Sequence, residues 1–478
     1  MENLARIKSP TFDSKSTVRS TKVSFWVWAF LLGLLIPVFI YVGPLRLSIY
    51  RVVLIASFFP SIFFLLSGQA GKIRLPDILV IGICIWSTVS LIVVHGFASM
   101  VETTGILWSE TLGAYLLGRC YIRTPDHFLS LVRTLFTICL FLMPFAMYEA
   151  LTGNSVIIEV LSKIGPTYFE MNMEPRLGLE RVQGPFPHPI HFGVFVWSIV
   201  GVVYYVIGYG LSKISRFLRT SAIAALGLLS LSSGPMVSVM AQINIIAWDR
   251  VFNSVKSRWK ILLVLSILGY IIIDILSNRT PFHVIIEYLA FNKHTAYNRI
   301  RIWEFGTASI LNNPVFGIGL NEWARPSWMS RSADMFWIVP AMRHGVPVWI
   351  LWFALFFSVF LGVAYRRTTD ERIIWYRTGY LVTMFGLFMS GWTVHYWDIA
   401  YVYFLFLFSS GIWFLDWDGV SEETGVTTES SRSRINYSRF PMRESRRSEV
   451  FQNSKHTNLS KANLETRTIN EKANPHTG

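Results

Sequence analysis

The chain has 478 residues, 52% hydrophobic and only 15% charged, with a mean hydropathy of +0.44. A soluble globular protein does not carry so many long apolar runs, so composition points to a polytopic membrane protein. The formal net charge of +14 would suit a nucleic-acid binder, but the basic residues fall in short clusters between apolar runs. That is the distribution of cytoplasmic loops, and no nucleic acid is expected as a partner.

Residues 1–22 are polar and basic, with Arg6, Lys8, Lys15, Arg19 and Lys22. The apolar run 24–42 that follows is long for a signal-peptide core, which predicts an uncleaved first helix with residues 1–23 in the cytoplasm. A second span, 47–67, starts outside, with Arg51 snorkelling near its outer end. The third to fifth, 78–94, 105–117 and 128–150, leave Lys72, Arg74, Arg119 and Arg123 on the inner side. The outer segment 151–191 is about forty residues, long for a simple connection and so a candidate functional segment.

A sixth span, 192–210, leads to Lys213, Arg216 and Arg219. The next stretch, 221–248, is basic on both flanks and interrupted by SLSSGP. Two full crossings need about 20 residues each, so two short helices are predicted, meeting at 232–235 with their irregular backbone shielded by protein. A ninth span, 261–276, opens a second outer segment, 277–335. A tenth, 336–364, and the last two, 380–392 and 399–415, complete an all-α membrane domain of about twelve helices over residues 24–416, with both termini inside. Residues 417–478 are rich in Ser, Thr, Arg, Glu and Asn and read as a disordered cytoplasmic tail. Cys84, Cys120 and Cys139 show no metal or disulfide spacing and read as apolar fillers.

Ionisable residues within the apolar runs (His95, Glu110, Glu149, Asp274, Arg343, His344, His395 and Asp398) gather near the outer face. They imply a water-accessible cavity there, or else interfacial anchoring. Arg343 falls nine residues after Asp334, roughly 13 Å along a continuous tenth helix. At that depth it calls for an anionic partner. Arginine presents a fork of donors matched to phosphate oxygens, and Trp303, Trp323, Trp328 and Trp337 offer flat faces for sugar rings. Such residues suit a lipid-linked diphosphate sugar, and equally an aromatic belt with salt bridges.

Three stretches carry a resemblance: RVQGPFPHPIHFG at 181–193, LSLSSGPMVSVMAQ at 229–242 and RIWEFGTASILNNPVFGIGLNEW at 301–323. Together, and in matching order, they resemble the bacterial O-antigen ligase and polymerase superfamily, most closely its Wzy-type exopolysaccharide polymerase branch. The resemblance implies a GT-C-like integral glycosyltransferase without a nucleotide-sugar domain or cofactor. Its substrate would be undecaprenyl-diphosphate-linked oligosaccharide on the outer side of the bacterial inner membrane, with a chain-length regulator and export machinery as partners. Ligases of the superfamily carry a His-Asn type pair before the tenth helix. Here Asp334-Met335 stands in its place, and Gly345 occupies the following glycine position. SADMFW resembles the polymerase version, which favours chain extension over transfer to lipid A core. That ligase reaction, and a flippase for the same lipid-linked sugars, are the alternatives.

The chemistry requires a sugar hydroxyl to attack an anomeric carbon as a diphosphate departs, so the site must position the acceptor and stabilise the leaving oxyanions. Arg181, Arg301 and Arg343 are assigned to the diphosphate, with Arg299 beside them. Asp334 is the candidate to receive the hydroxyl proton, or to cap the tenth helix. His188 and His191 lack a third ligand of suitable spacing, so no metal is expected. They shape the acceptor region or merely pack on the sixth helix. Trp303 and Trp337 are candidate sugar platforms, and Asn321 with Gly317–Gly319 reads as a tight turn.

Overall fold

A computed structural model describes residues 23–43, 45–278, 280, 284 and 293–417. The segments expected in the cytoplasm at 1–22 and 418–478, and part of the second outer segment, lie outside the described residues.

The described chain is mostly helical. It opens with α1 (Phe25–Leu35), the hairpin β1 (Phe39–Val42) and β2 (Leu45–Ser48), α2 (Ile49–Leu66), α3 (Leu75–His95), α4 (Phe97–Tyr121), α5 (Pro125–Thr152) and α6 (Val156–Ser162). Then come α7 (Pro189–Ser198), α8 (Val200–Val202), a π-helical turn (Val203–Ile207), α9 (Lys213–Leu228), α10 (Ser233–Val251) and α11 (Arg258–Leu276). The rest is α12 (Lys293–Asn312), α13 (Val339–His344), α14 (Val346–Tyr365), α15 (Glu371–Ser390), α16 (Ile399–Ser409) and α17 (Trp413–Asp416). Among the described residues, seven segments are long and apolar enough to cross a membrane: α2, α3, α5, Pro189–Ile207, α11, α14 and Ile399–Asp416. The chain is thus an α-helical membrane protein.

The first expected span is not one helix. α1 stops after 11 residues, about 16 Å of axial rise against a hydrocarbon core of about 30 Å. Pro37 lacks the amide hydrogen a helix needs, and the alternating β-branched and aromatic residues after it pair as a hairpin, Val42 opposite Leu45. The tenth span is also broken. Gly345, at φ +87°, separates α13 from α14, and a Cβ there would lie 2.0 Å from the Val315 carbonyl oxygen. Only glycine fits that conformation and contact.

The core is built by close crossings. At Gly118 of α4 a Cβ would meet the Phe406 carbonyl at 2.4 Å, so α4 and α16 touch backbone to backbone. Gln242 ties α7, α8 and α10 together. Its Oε1 accepts from Gly201 N at 2.8 Å, and its Nε2 donates to the Trp197 carbonyl at 2.8 Å. The three cysteines are buried thiols.

Polar residues gather at two ends of the bundle. At one, buried Arg119 bonds Asp77 at 3.2 Å and the carbonyls of Ala70 and Lys72, Arg74 pairs with Asp416 at 2.6 Å, and Arg372 pairs with Asp126. Arg250 and Arg258 share Asp249. At the other end lie the 153–188 segment, the α9–α10 break, the Gly317–Gly319 turn and the 391–398 loop. Arg51, expected to snorkel, is instead clamped there between Glu110 at 2.7 Å and Asp398 at 3.1 Å.

Candidate active site

The break between α9 and α10 organises this end. Leu231 takes φ +45°, strained for a residue with a Cβ, and Ser230 to Ser233 are all buried. The backbone is shielded by protein as expected. However, the helices on either side run further than the apolar stretch and meet at the end of the bundle. Ser232 stands at the N-cap of α10, yet its side chain caps no amide; its hydroxyl donates to the Ser230 carbonyl at 3.0 Å. In the first turn of this 19-residue helix Pro235 has no amide hydrogen, so the amides of Ser233 and Gly234 and the positive dipole end are what the terminus offers.

Three arginines close on this terminus. Arg176 donates to the Leu231 carbonyl at 2.8 Å and Arg181 to Ser232 Oγ at 2.8 Å. Arg299, reaching in from α12, lies 3.4 Å from Ser233 Oγ. Burial, and then Arg176, push Arg181 down to about 10. Burial likewise pushes Arg299 down to about 10, against the opposing pull of Asp334. Arg181 Nε and Arg299 Nη1 are buried donors with no hydrogen-bond partner among the described residues. In one small region, Ser230 Oγ, His395 Nδ1 and both ring nitrogens of His191 are in the same condition.

The neighbouring wall is aromatic. His191 meets Trp397 edge-on at 4.2 Å, His395 stacks on it at 6.0 Å, and His188 stands 6.2 Å away. His188 caps α7, its Nδ1 accepting from Ile190 N at 3.0 Å, and burial followed by Arg181 holds it down near 4. His395 is likewise pushed down to about 4, by burial and then by Arg343. Close packing joins these walls. At Gly234 a Cβ would sit 2.5 Å from Val394 Cγ2, and at Gly193 it would sit 2.8 Å from Ser230 Oγ.

Of the predicted residues, the structure brings together Arg181, Arg299, His188 and His191, with Asp334 electrostatically coupled to Arg299 and Arg343 to His395. Arg343 needs no anion, because it donates to the carbonyls of Gly319 at 2.8 Å and Asn321 at 3.0 Å. The expected 13 Å depth along a continuous helix fails because residues 334–338 are not helical and α13 begins only at Val339, while Gly345 separates Arg343 from the membrane-length helix α14. Asp334 is not a helix cap: Ile338 holds that position on α13, and Asp334 accepts from the Ser332 hydroxyl. Arg301 points away from the cluster, bonded to Tyr297 and to Glu304 at 2.9 Å. Trp303 packs on Trp392. Trp337 is not a sugar platform; it is fully buried and donates to the Phe388 carbonyl at 2.8 Å. Gly317 and Gly319 do form the expected turn, at φ +65° and +60°.

Sequence reasoning missed Arg176 and Trp397 as parts of this region, and placed His395 near the outer face without giving it a role in the site. The spacing of Arg299 with Ile302, Gly306 and Ser309 on one helix face, all four buried, was the signal that separates it from Arg301. No group of three or more His, Cys, Asp or Glu placed to hold a metal occurs among the described residues. Neither a known family model nor a curated protein matches the chain.

Proposed function

We propose that the chain is an integral membrane glycosyltransferase that polymerises undecaprenyl-diphosphate-linked repeat units on the outer side of the bacterial inner membrane. In this reading it is GT-C-like, with about twelve crossings and both termini in the cytoplasm. The observation that carries it is the α10 N-terminus, uncapped by Ser232 and faced by buried arginine donors that have no partner among the described residues. A helix terminus with such donors binds phosphate oxygens, and a diphosphate is the leaving group the reaction must stabilise.

Arg181, Arg299 and the Ser233 and Gly234 amides of α10 hold the diphosphate. The acceptor hydroxyl loses its proton to Asp334 as its oxygen bonds to the anomeric carbon, and the carbon–oxygen bond to the diphosphate breaks. Undecaprenyl diphosphate departs as the anion that the arginines retain. Trp397 supplies the flat face for a sugar ring that Trp337 cannot. Basic loops at the opposite end of the bundle support the orientation. The break at one end of the bundle, away from its middle, favours an enzyme over a flippase, whose broken helices would meet near the midplane.

Deletion of the gene followed by analysis of lipid-linked products tests the reading. Accumulated single repeat units are the expected result. Full-length unattached polymer would identify a ligase, and substrate trapped on the inner leaflet a flippase.

A further inference from the structure

The short α1 leaves the flank of α5 uncovered, and a groove runs along it. Its outer part encloses 570 Å³ and is lined by Leu32, Ile36, Thr137, Phe141, Phe145 and Val160 among others, nearly all apolar. A second part of 350 Å³ continues inward past Thr137 to Arg133. From Phe145 to Arg133 is roughly 18 Å along the helix, longer than one leaflet of about 15 Å. Phe141 and Val160 are more than half exposed, at 61% and 51%, so the groove opens sideways to the bilayer.

The same helix carries the arginine loop on its outer end. Glu180 N donates to the Ala150 carbonyl at 2.9 Å. The Glu149 carboxylate accepts from Gln183 N at 2.7 Å and from Gly184 N at 3.0 Å. Ser155, just before the α6 roof of the groove, donates to the Gly184 carbonyl at 2.9 Å. Arg181 is thus laced to the mouth of the groove. Around it Ile164, Phe169 and Leu177 are exposed apolar side chains at 75%, 88% and 86%, suited to dipping into the outer leaflet.

We infer that this α1–α5–α6 groove binds the polyprenyl chain of the lipid-linked donor, while its diphosphate lies on Arg181 and Arg299. The inference rests on the proposed reading of the arginine cluster. A long apolar chain entering beside the diphosphate finds a lateral, apolar channel deeper than a leaflet, ending at Arg133, which is basic and marks where apolar contact stops. Burying the chain there supplies affinity in proportion to the apolar area removed from competing contacts.

Binding of undecaprenyl diphosphate and of dimethylallyl diphosphate to the purified full-length protein in detergent tests it. The long-chain probe should bind on the order of a hundredfold tighter than the one-isoprene probe. Thr137→Trp and Val160→Trp, at exposed groove positions, should erase that advantage and leave dimethylallyl diphosphate binding unchanged. Arg181→Gln should weaken both probes. Equal affinity for the two probes, groove variants that retain the long-chain advantage, or loss of that advantage to added phosphatidylglycerol would each overturn the groove while the diphosphate site stands. Failure of both probes to bind would remove the diphosphate site and the groove with it.

Discussion

Replacing Arg299 by Met separates stability from activity. Arg299 is 5% exposed, is pushed down to about 10 by burial, and faces the positive end of α10. Its depression below the ordinary arginine value, converted at about 1.4 kcal/mol per pH unit, is a cost of roughly 3 kcal/mol. The folded value lies below the unfolded one, so the cost is present in full below about pH 10 and is relieved only above it. Met keeps most of the side-chain volume and removes the charge. Arg299→Met should therefore raise the unfolding temperature of the ligand-free protein in detergent, read by tryptophan fluorescence at neutral pH. Added undecaprenyl diphosphate should stabilise the wild type more than the variant, which keeps Arg181 and the groove. Turnover of a lipid-linked donor should fall by a factor on the order of 100 or more, as for loss of an oxyanion donor. A variant that is less stable than wild type and polymerises at the wild-type rate would refute the assignment.

Four further outcomes are expected. Arg51→Met should destabilise by roughly 3 kcal/mol because it strands buried Glu110, and the double change with Glu110→Met should restore most of the loss in thermal unfolding. Asp334→Asn and Asp334→Ala should both lose activity while the protein stays folded, since Asp334 caps no helix, with only a small fall in unfolding temperature as Arg299 loses an opposing charge; full activity in both would exclude a proton-accepting role. His188 and His395 are held down near 4 from an ordinary value of 6.5. Each should therefore remove about 1.4 kcal/mol of stability per pH unit as pH falls from 6.5 towards 4, visible as a falling unfolding midpoint against pH. Cysteines placed at exposed Asn172 and Ser330 should react with an impermeant thiol reagent in outer-membrane-permeabilised cells, and one at Ser257 should not; labelling at Ser257 would reverse the orientation.

The membrane character, the positions of most helices and the interruption at SLSSGP were legible in the sequence, because apolar length and punctuation by Gly, Pro and Ser are local properties. Arg181, Arg299, His188 and His191 were also legible as polar residues in segments too rich in charge for mere connections. What local pattern could not supply was direction and partner. Arg299 and Arg301 are two residues apart, and only the packing of α12 turns one inward to α10 and the other to Tyr297 and Glu304. Arg343 looked like a buried charge in need of an anion. The turn that satisfies it forms because Gly345 breaks the helix and brings the carbonyls of Gly319 and Asn321 within reach. The hairpin after α1 likewise depends on Pro37 ending a helix that the run of hydropathy would have continued.

The sequence by itself determined the solvent this chain folds in, since burial in a bilayer is set by the summed hydropathy of each run. Only the tertiary structure decided which charges remain unsatisfied, because a donor's partner is fixed by contacts between segments distant in the chain. Arg176 and Arg181 from one segment, Ser232 and Ser233 from another and Arg299 from a third converge at a single helix terminus. No one stretch contains that convergence, and it is on the convergence that the proposed anion site rests.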